Sequence, residues 1–238
     1  MNRVWAAISS VQPAPSTTIV GALAALALVL VIWDPAWRRT RHLVTIAHEG
    51  THGVAALATG RRLAGIRLHS DTSGLTVSRG RPGGAGMAVT ALAGYPGPAL
   101  AGLGAAYLLH LGRAVLVLWA VLALLAALLI QVRNWFGLWS VAVAGAGVFA
   151  VSWFGSAALQ TAFAYAGTWF LLLAAPRPVV ELQRLRRRTG ARDTDVDILA
   201  RITGVPAPLW VFALFAITMA TLLVGARWLI GWHESIRW

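Results

Sequence analysis

The chain has 238 residues, of which 58% are hydrophobic and only 12% charged, against roughly 45–50% apolar residues in soluble domains, and a soluble fold cannot hide that much apolar surface. All 20 basic residues are Arg and the formal charge is +12, yet these residues stand at the ends of apolar blocks, as orientation anchors do, and not along one phosphate-binding face, so no nucleic-acid partner is expected. The absence of cysteine excludes disulfides, thiolate metal sites and cysteine nucleophiles, and leaves only His, Asp and Glu to hold a metal.

The apolar excess falls in blocks long enough for a helix to cross about 30 Å of hydrocarbon, so the lipid bilayer is the solvent and helices are the expected spanning elements. Candidate spans cover about 17–33, 43–60, 86–110, 114–132, 135–153, 157–175 and 207–231. The first lacks a small-residue cleavage site behind a basic start and reads as a retained span. Between the second and third lies a polar, Gly-rich stretch at 61–84. Its segments Gly65–His69 and Leu75–Ser78 alternate around Asp71-Thr72-Ser73-Gly74, the pattern of a small β-hairpin.

The other polar stretch, 176–204, carries Arg177, Arg184, Arg186, Arg187, Arg188, Arg192 and Arg201, and the positive-inside rule places it in the cytoplasm. Arg38, Arg39 and Arg41 place the joint before the second span on the same side. An odd number of full crossings between the two joints would separate them, so one block must be re-entrant or misjudged. The expected architecture is an all-α polytopic membrane protein, a single domain over 1–238 with six to seven transmembrane helices and a hairpin insert after the second.

The second span reads "LVTIAHEGTHGVAALATG". His48 and His52 are four apart, so in a helix they share a face one turn apart, where two imidazoles can hold one zinc ion. Glu49, beside the first, is placed to take a proton from water and hand it to a leaving amine, the role of the glutamate in His-Glu-x-x-His metalloproteases. His, Glu and His inside an apolar helix cost free energy in a bilayer and mark a functional site.

The "HEGTH" early in the second span, the hairpin-like insert and "ALAGYPGPALAGLGAAYLL" at the start of the third resemble the site-2 protease family of intramembrane zinc metalloproteases, particularly its compact bacterial branch, over roughly residues 40–215. The resemblance implies that Gly94, Pro96, Gly97 and Pro98 pack near the zinc helix, a place that small residues would equally take for close helix packing. It also implies a third zinc ligand. The Leu-Asp-Gly motif that supplies it in better-known members is missing here, and the chain has eight acidic residues in all. Besides Glu49 these are Asp34 at a span end, Asp71 in the hairpin turn, Glu181 among arginines, Glu234 near the C-terminus, and Asp193, Asp195 and Asp197. Thr194-Asp195-Val196 is similar to a Ser-Asp-Ala stretch of the compact branch, which makes Asp195 the expected ligand, and the charge argument puts this loop where the zinc helix starts. Asp193 and Asp197 remain rivals, and Thr194 or Asp195 would serve equally as a helix cap.

Asn134, in "RNWFG", resembles a family residue that holds substrate backbone or the oxyanion, and reads equally as an interhelical hydrogen-bond donor. The remaining histidines, His42, His69, His110 and His233, read as interfacial. Trp33, Trp37, Trp119, Trp135, Trp139, Trp228, Trp232 and Trp238, near span ends, read as an aromatic belt. The resemblance implies a protease that cuts within or beside a transmembrane segment of a membrane-protein substrate such as a membrane-anchored regulator, with the hairpin pairing with the unwound strand. The lack of lysine associates the chain with a GC-rich genome and a bacterial plasma membrane. An inactive zinc-binding scaffold would keep the same residues, whereas a transporter would favour inverted repeats, which the sequence lacks. Substrate identity and oligomeric state are not written in the sequence.

Overall fold

The structure is a computed structural model that describes residues 2–190 and 193–231. Arg192, Trp232, His233, Glu234 and Trp238, weighed above as anchors or ligands, lie outside the described residues. A short amphipathic helix, α1 (Asn2–Ser9), precedes α2 (Thr17–Ile32), whose first turn is capped by the Ser16 hydroxyl accepting from the Ile19 N–H. The next helix, α3 (Asp34–Ala58), leaves α2 at a bend of 100°. Asp34-Pro35 makes the corner, because proline cannot donate to the preceding turn but fits the first turn of a new helix, where an acidic neighbour is also favoured.

The predicted hairpin is present. Strands β1 (Arg62–Leu68) and β2 (Gly74–Arg79) pair antiparallel, with Arg62 opposite Arg79 and Leu68 opposite Gly74. Ile66 and Leu68 of β1 are buried against Ile46 of α3 and against Leu128, Val132 and Val141 of the helices that follow, so the hairpin lies flat along the bundle.

The block expected as one span over 86–110 is two helices, α4 (Ala85–Ala93) and α5 (Pro96–His110), broken at Gly94 and Tyr95. Pro96 and Pro98 lack the N–H groups that would continue the α4 ladder, and they are tolerated where a helix starts anew. The chain then runs through α6 (Ala114–Gln131), α7 (Trp135–Phe154), α8 (Ala157–Ala174), α9 (Pro176–Thr189), α10 (Asp195–Thr203) and α11 (Ala207–Gly231). By length and apolar composition four helices can cross a membrane, namely α6, α7, the continuous α8–α9 rod and α11, and the bent pair α2–α3 would be a fifth. That is fewer than the six to seven expected, because neither half of the broken block is long enough to count and the first two predicted spans, α2 and α3, qualify only together as one bent pair.

The break also accounts for the odd number of crossings. Arg41 pairs with Glu181 and Arg177 with Asp34, so the start of α3 and α9 stand at the same end of the bundle, as their charges require. The Gln12 N–H donates to the Gly112 carbonyl, which puts the end of α5 at the opposite end, where α2 begins. Between them, α4 comes back along α3, with the Gly86 carbonyl accepting from Thr59 and the Ala93 carbonyl from Thr51, before α5 leads away. The second and third predicted spans therefore make one net passage. One buried cluster joins α2, α5, α6 and α8, and another packs Val196 of α10 towards α9, α11 and the α4–α5 break. Trp37, expected in the aromatic belt, is only 2% exposed and donates its indole N–H to Glu181.

Candidate metal centre and active site

The helix α3 carries His48, Glu49 and His52, with Glu49 5% and His52 7% exposed. Two glycine contacts let the α4–α5 break come close enough to enclose them. A Cβ on Gly94 would overlap the rings of His48 and His52, and one on Gly97 would overlap the Thr51 side chain. The break delivers a third element as well. The Nδ1 of His52 lies 2.6 Å from the Thr90 carbonyl oxygen, so Nδ1 carries a proton and donates to it, and Nε2 is the ring nitrogen turned towards His48 and Asp195. This is how a metal-binding imidazole has its tautomer and ring orientation fixed.

α10 delivers Asp195 to the same point. Its Oδ2 lies 3.4 Å from His48 Nε2 and 3.2 Å from His52 Nε2, while the two nitrogens are 3.1 Å apart. Ligand atoms about 2.0–2.1 Å from a tetrahedral zinc stand about 3.3 Å from one another, so the spacing of these three atoms fits a metal of that size. Burial alone would raise the Asp195 carboxyl, but the imidazoles of His48 and His52 hold it well below the usual carboxylate range. Among the described residues, this is the group of His, Asp and Glu side chains able to hold a metal ion.

The rival aspartates do not join this group. Asp193 is fully exposed, with Arg201 at 3.8 Å. Asp197 accepts from the Arg186 guanidinium and from the hydroxyl and N–H of Thr194. Burial would raise its carboxyl too, but these donors, Arg186 foremost, hold it below the usual range. Asp34 pairs with Arg177, Glu181 with Arg41 and Arg177, and Asp71 accepts from Ser73 in the hairpin turn.

Glu49 meets the hairpin. Thr76 of β2 lies with its hydroxyl 2.7 Å from Glu49 Oε2, and Gly74, two residues earlier on the same face of the strand, leaves room for the Glu49 side chain. Both line a cavity of about 410 Å³ that includes the imidazoles, Asp195 and Tyr95, and reaches Trp37 and Arg41 near the start of α3. The Tyr95 ring packs edge-on against His48, centroids 4.8 Å apart.

Asn134 is not among the residues lining this cavity. Its Nδ2 donates to the Leu68 carbonyl at 2.6 Å and its Oδ1 accepts from the Leu68 N–H at 3.1 Å. The amide expected to meet substrate or an oxyanion is therefore used at both ends to fix the end of β1. Thr76, Gly74, Thr90 and Arg186 were not legible as site residues from sequence. The one available signal was the period-2 pattern of β2, which puts Gly74, Thr76 and Ser78 on one face.

Four helices, or five with the bent pair, long and apolar enough to cross a bilayer make this a membrane protein. No curated protein and no solved structure matches the chain. The model of the family described as Peptidase M50B-like matches residues 21–225, most of the chain and all of the elements that build the site. The protein accordingly belongs to the Peptidase M50B-like family, the site-2 protease group, and membership implies metallopeptidase activity.

Proposed function

We propose that the protein is an intramembrane zinc metalloprotease that hydrolyses peptide bonds in or near transmembrane segments of membrane-protein substrates, as a multi-pass protein of the bacterial plasma membrane. The observation that carries this reading is the convergence of His48 Nε2, His52 Nε2 and Asp195 Oδ2 to within 3.1–3.4 Å of one another, in the cavity that also holds the Glu49 carboxylate. His48, His52 and Asp195 would hold the ion. When bound, zinc lowers the pKa of a coordinated water towards neutrality and polarises the scissile carbonyl. Glu49 is the general base: it takes a proton from water and returns it to the leaving amine. Thr76 holds the carboxylate oxygen Oε2 in place for this.

A helical substrate hides its carbonyls in its own hydrogen bonds and must unwind before it can be cut. The hairpin offers an edge for the extended strand. β1 is paired with β2 on one side and bridged to Val132 on the other, whereas β2 has no second strand partner among the described residues and lines the cavity. Strand addition to β2 would bring a peptide carbonyl alongside Glu49.

Zinc content and cleavage of a membrane-spanning reporter, compared between wild type and Glu49→Gln, test the reading. It stands if both forms bind zinc stoichiometrically and only wild type cuts. Zinc without cleavage by wild type leaves an inactive scaffold, and absence of stoichiometric zinc removes the metal centre altogether.

A further inference from the structure

Asp195 is the first residue of α10, and nothing in its own contacts with the imidazoles explains why that helix starts there. The answer lies in the residues that flank it. Thr194 and Asp197 form a reciprocal cap, in which the Thr194 side chain meets the Asp197 N–H and the Asp197 carboxylate accepts from the Thr194 N–H at 3.1 Å. The other carboxylate oxygen, Oδ1, accepts from Arg186 Nη1, and the same guanidinium nitrogen lies 3.3 Å from the Thr194 hydroxyl. Arg186 thus grips both ends of the cap that immediately flanks Asp195. It differs from its neighbours, for Arg184, Arg187 and Arg188 are exposed, while the Arg186 and Asp197 side chains are 16% and 10% exposed. A cap alone needs no arginine. A guanidinium brought in from α9, the continuation of the long α8 rod, ties the first turn of α10 to a rigid element.

We propose that Arg186 and Asp197 are a positioning pair for the metal centre, acting through the α10 cap to hold the Asp195 carboxylate against the two imidazoles. The inference rests on the reading of His48, His52 and Asp195 as zinc ligands. It extends that site to a residue of α9 that contacts neither imidazole, and it gives Asp197 a part in the metal centre other than ligation. Because the pair contributes no donor atom to the metal, its loss leaves the full ligand set present but loosely placed. Outer partners of this kind typically govern about 10- to 100-fold in metal affinity.

The test is the zinc dissociation constant of the full-length protein in detergent, measured by competition with a chromophoric chelator. The variants are Arg186→Gln, Asp197→Asn, the two combined, and Arg187→Gln as an exposed control. Asp197→Asn keeps an oxygen to accept from the Thr194 N–H, so α10 retains its cap while the ion pair is lost. Each single variant is expected to bind zinc about 10-fold or more weakly. The combination should be no weaker than the weaker single, since both changes remove one interaction. Arg187→Gln should match wild type, and the helical content of the metal-free protein should be equal in all. Single variants within about twofold of wild type, or a double variant whose loss is the product of the two, would overturn the pair. A wild-type protein that binds no zinc, or whose binding is indifferent to His52→Ala, would instead overturn the zinc reading on which the inference stands.

Discussion

The Thr76 hydroxyl lies 2.7 Å from Oε2 of Glu49 and 3.0 Å from the same residue's carbonyl oxygen. With a single proton it donates to one of them at a time, and the carboxylate is the stronger acceptor because it is charged. The contact joins the hairpin strand that faces the cavity to the group expected to move protons. A hydrogen bond to a charged partner is worth about 1.5–3 kcal/mol, or roughly 10- to 100-fold in rate if it is used only at the chemical step. Thr76→Val should therefore lower kcat by about that factor with KM and zinc content unchanged, and Thr76→Ser should recover most of it. Steady-state cleavage of a membrane-spanning reporter measures this, and a Val variant with wild-type kcat would show that Glu49 needs no such support.

Gly94 sets a second requirement. A Cβ there would occupy space taken by His52 Nε2 and the His48 ring, and neither can retreat, because His52 is tied to Thr90 and the His48 ring packs against Tyr95. Gly94→Ala should separate α4 from α3 and abolish stoichiometric zinc binding while the helical content persists. Gly104→Ala, on the same broken segment with open space at its Cβ, should leave zinc binding intact. Metal analysis after gel filtration decides it. A Gly94→Ala protein that retains its zinc would mean that the break yields more easily than the packing implies.

Neither of these two contacts is encoded in a local sequence pattern. His48, Glu49 and His52 were legible because helical geometry converts a spacing of four directly into a shared face. The hairpin was legible because strand alternation and a polar turn are local signals. Thr76 meets Glu49 across 27 residues and Asn134 meets Leu68 across 66, and those encounters are fixed by how the hairpin lies on α3, α6 and α7, which no local period encodes. Apolar content over 86–110 likewise reads as one span. The prolines that break it stand in a stretch that resembles a family motif, and it is their missing N–H groups that end α4. Trp37 shows the same limit: position near a span end argued for lipid, whereas the Glu181 carboxylate draws it inward.

That carboxylate supports a further prediction. Glu181 accepts from the Trp37 indole at 2.8 Å and from Arg177 Nε at 3.1 Å, and its other oxygen lies 3.3 Å from Arg41 Nη2. The Arg177 guanidinium also sits over the Trp37 ring at 4.8 Å, so one acid organises two cations and an aromatic at the joint of α3 and α9. Glu181→Ala leaves a buried indole N–H without its acceptor and two arginines facing each other, at a cost of about 1–3 kcal/mol. Glu181→Gln, which keeps an oxygen for the indole, should lose less. The order wild type, Gln, Ala is expected in melting temperature of the detergent-solubilised protein. An Ala variant that melts with wild type would show that water replaces the carboxylate freely.

Metal binding should also be readable without any substrate. A ligand that binds the folded protein and not the unfolded chain stabilises it by RT ln(1 + [L]/Kd), about 2.7 kcal/mol at a concentration of 100 Kd. The folded state brings His48, His52 and Asp195 together from elements about 150 residues apart in sequence, since Asp195 lies 143 positions beyond His52, so the unfolded chain has no comparable site. Zinc should raise the melting temperature of wild type and of Glu49→Gln by the same amount, because Glu49 is proposed to act on water and not on the ion, and chelation should reverse the shift. His48→Ala, His52→Ala and Asp195→Ala should lose most of the response, whereas Asp193→Ala, which removes a fully exposed carboxylate, should keep it. A Glu49→Gln protein that no longer responds would make Glu49 a ligand, and an Asp195→Ala protein that responds in full would place the third ligand elsewhere.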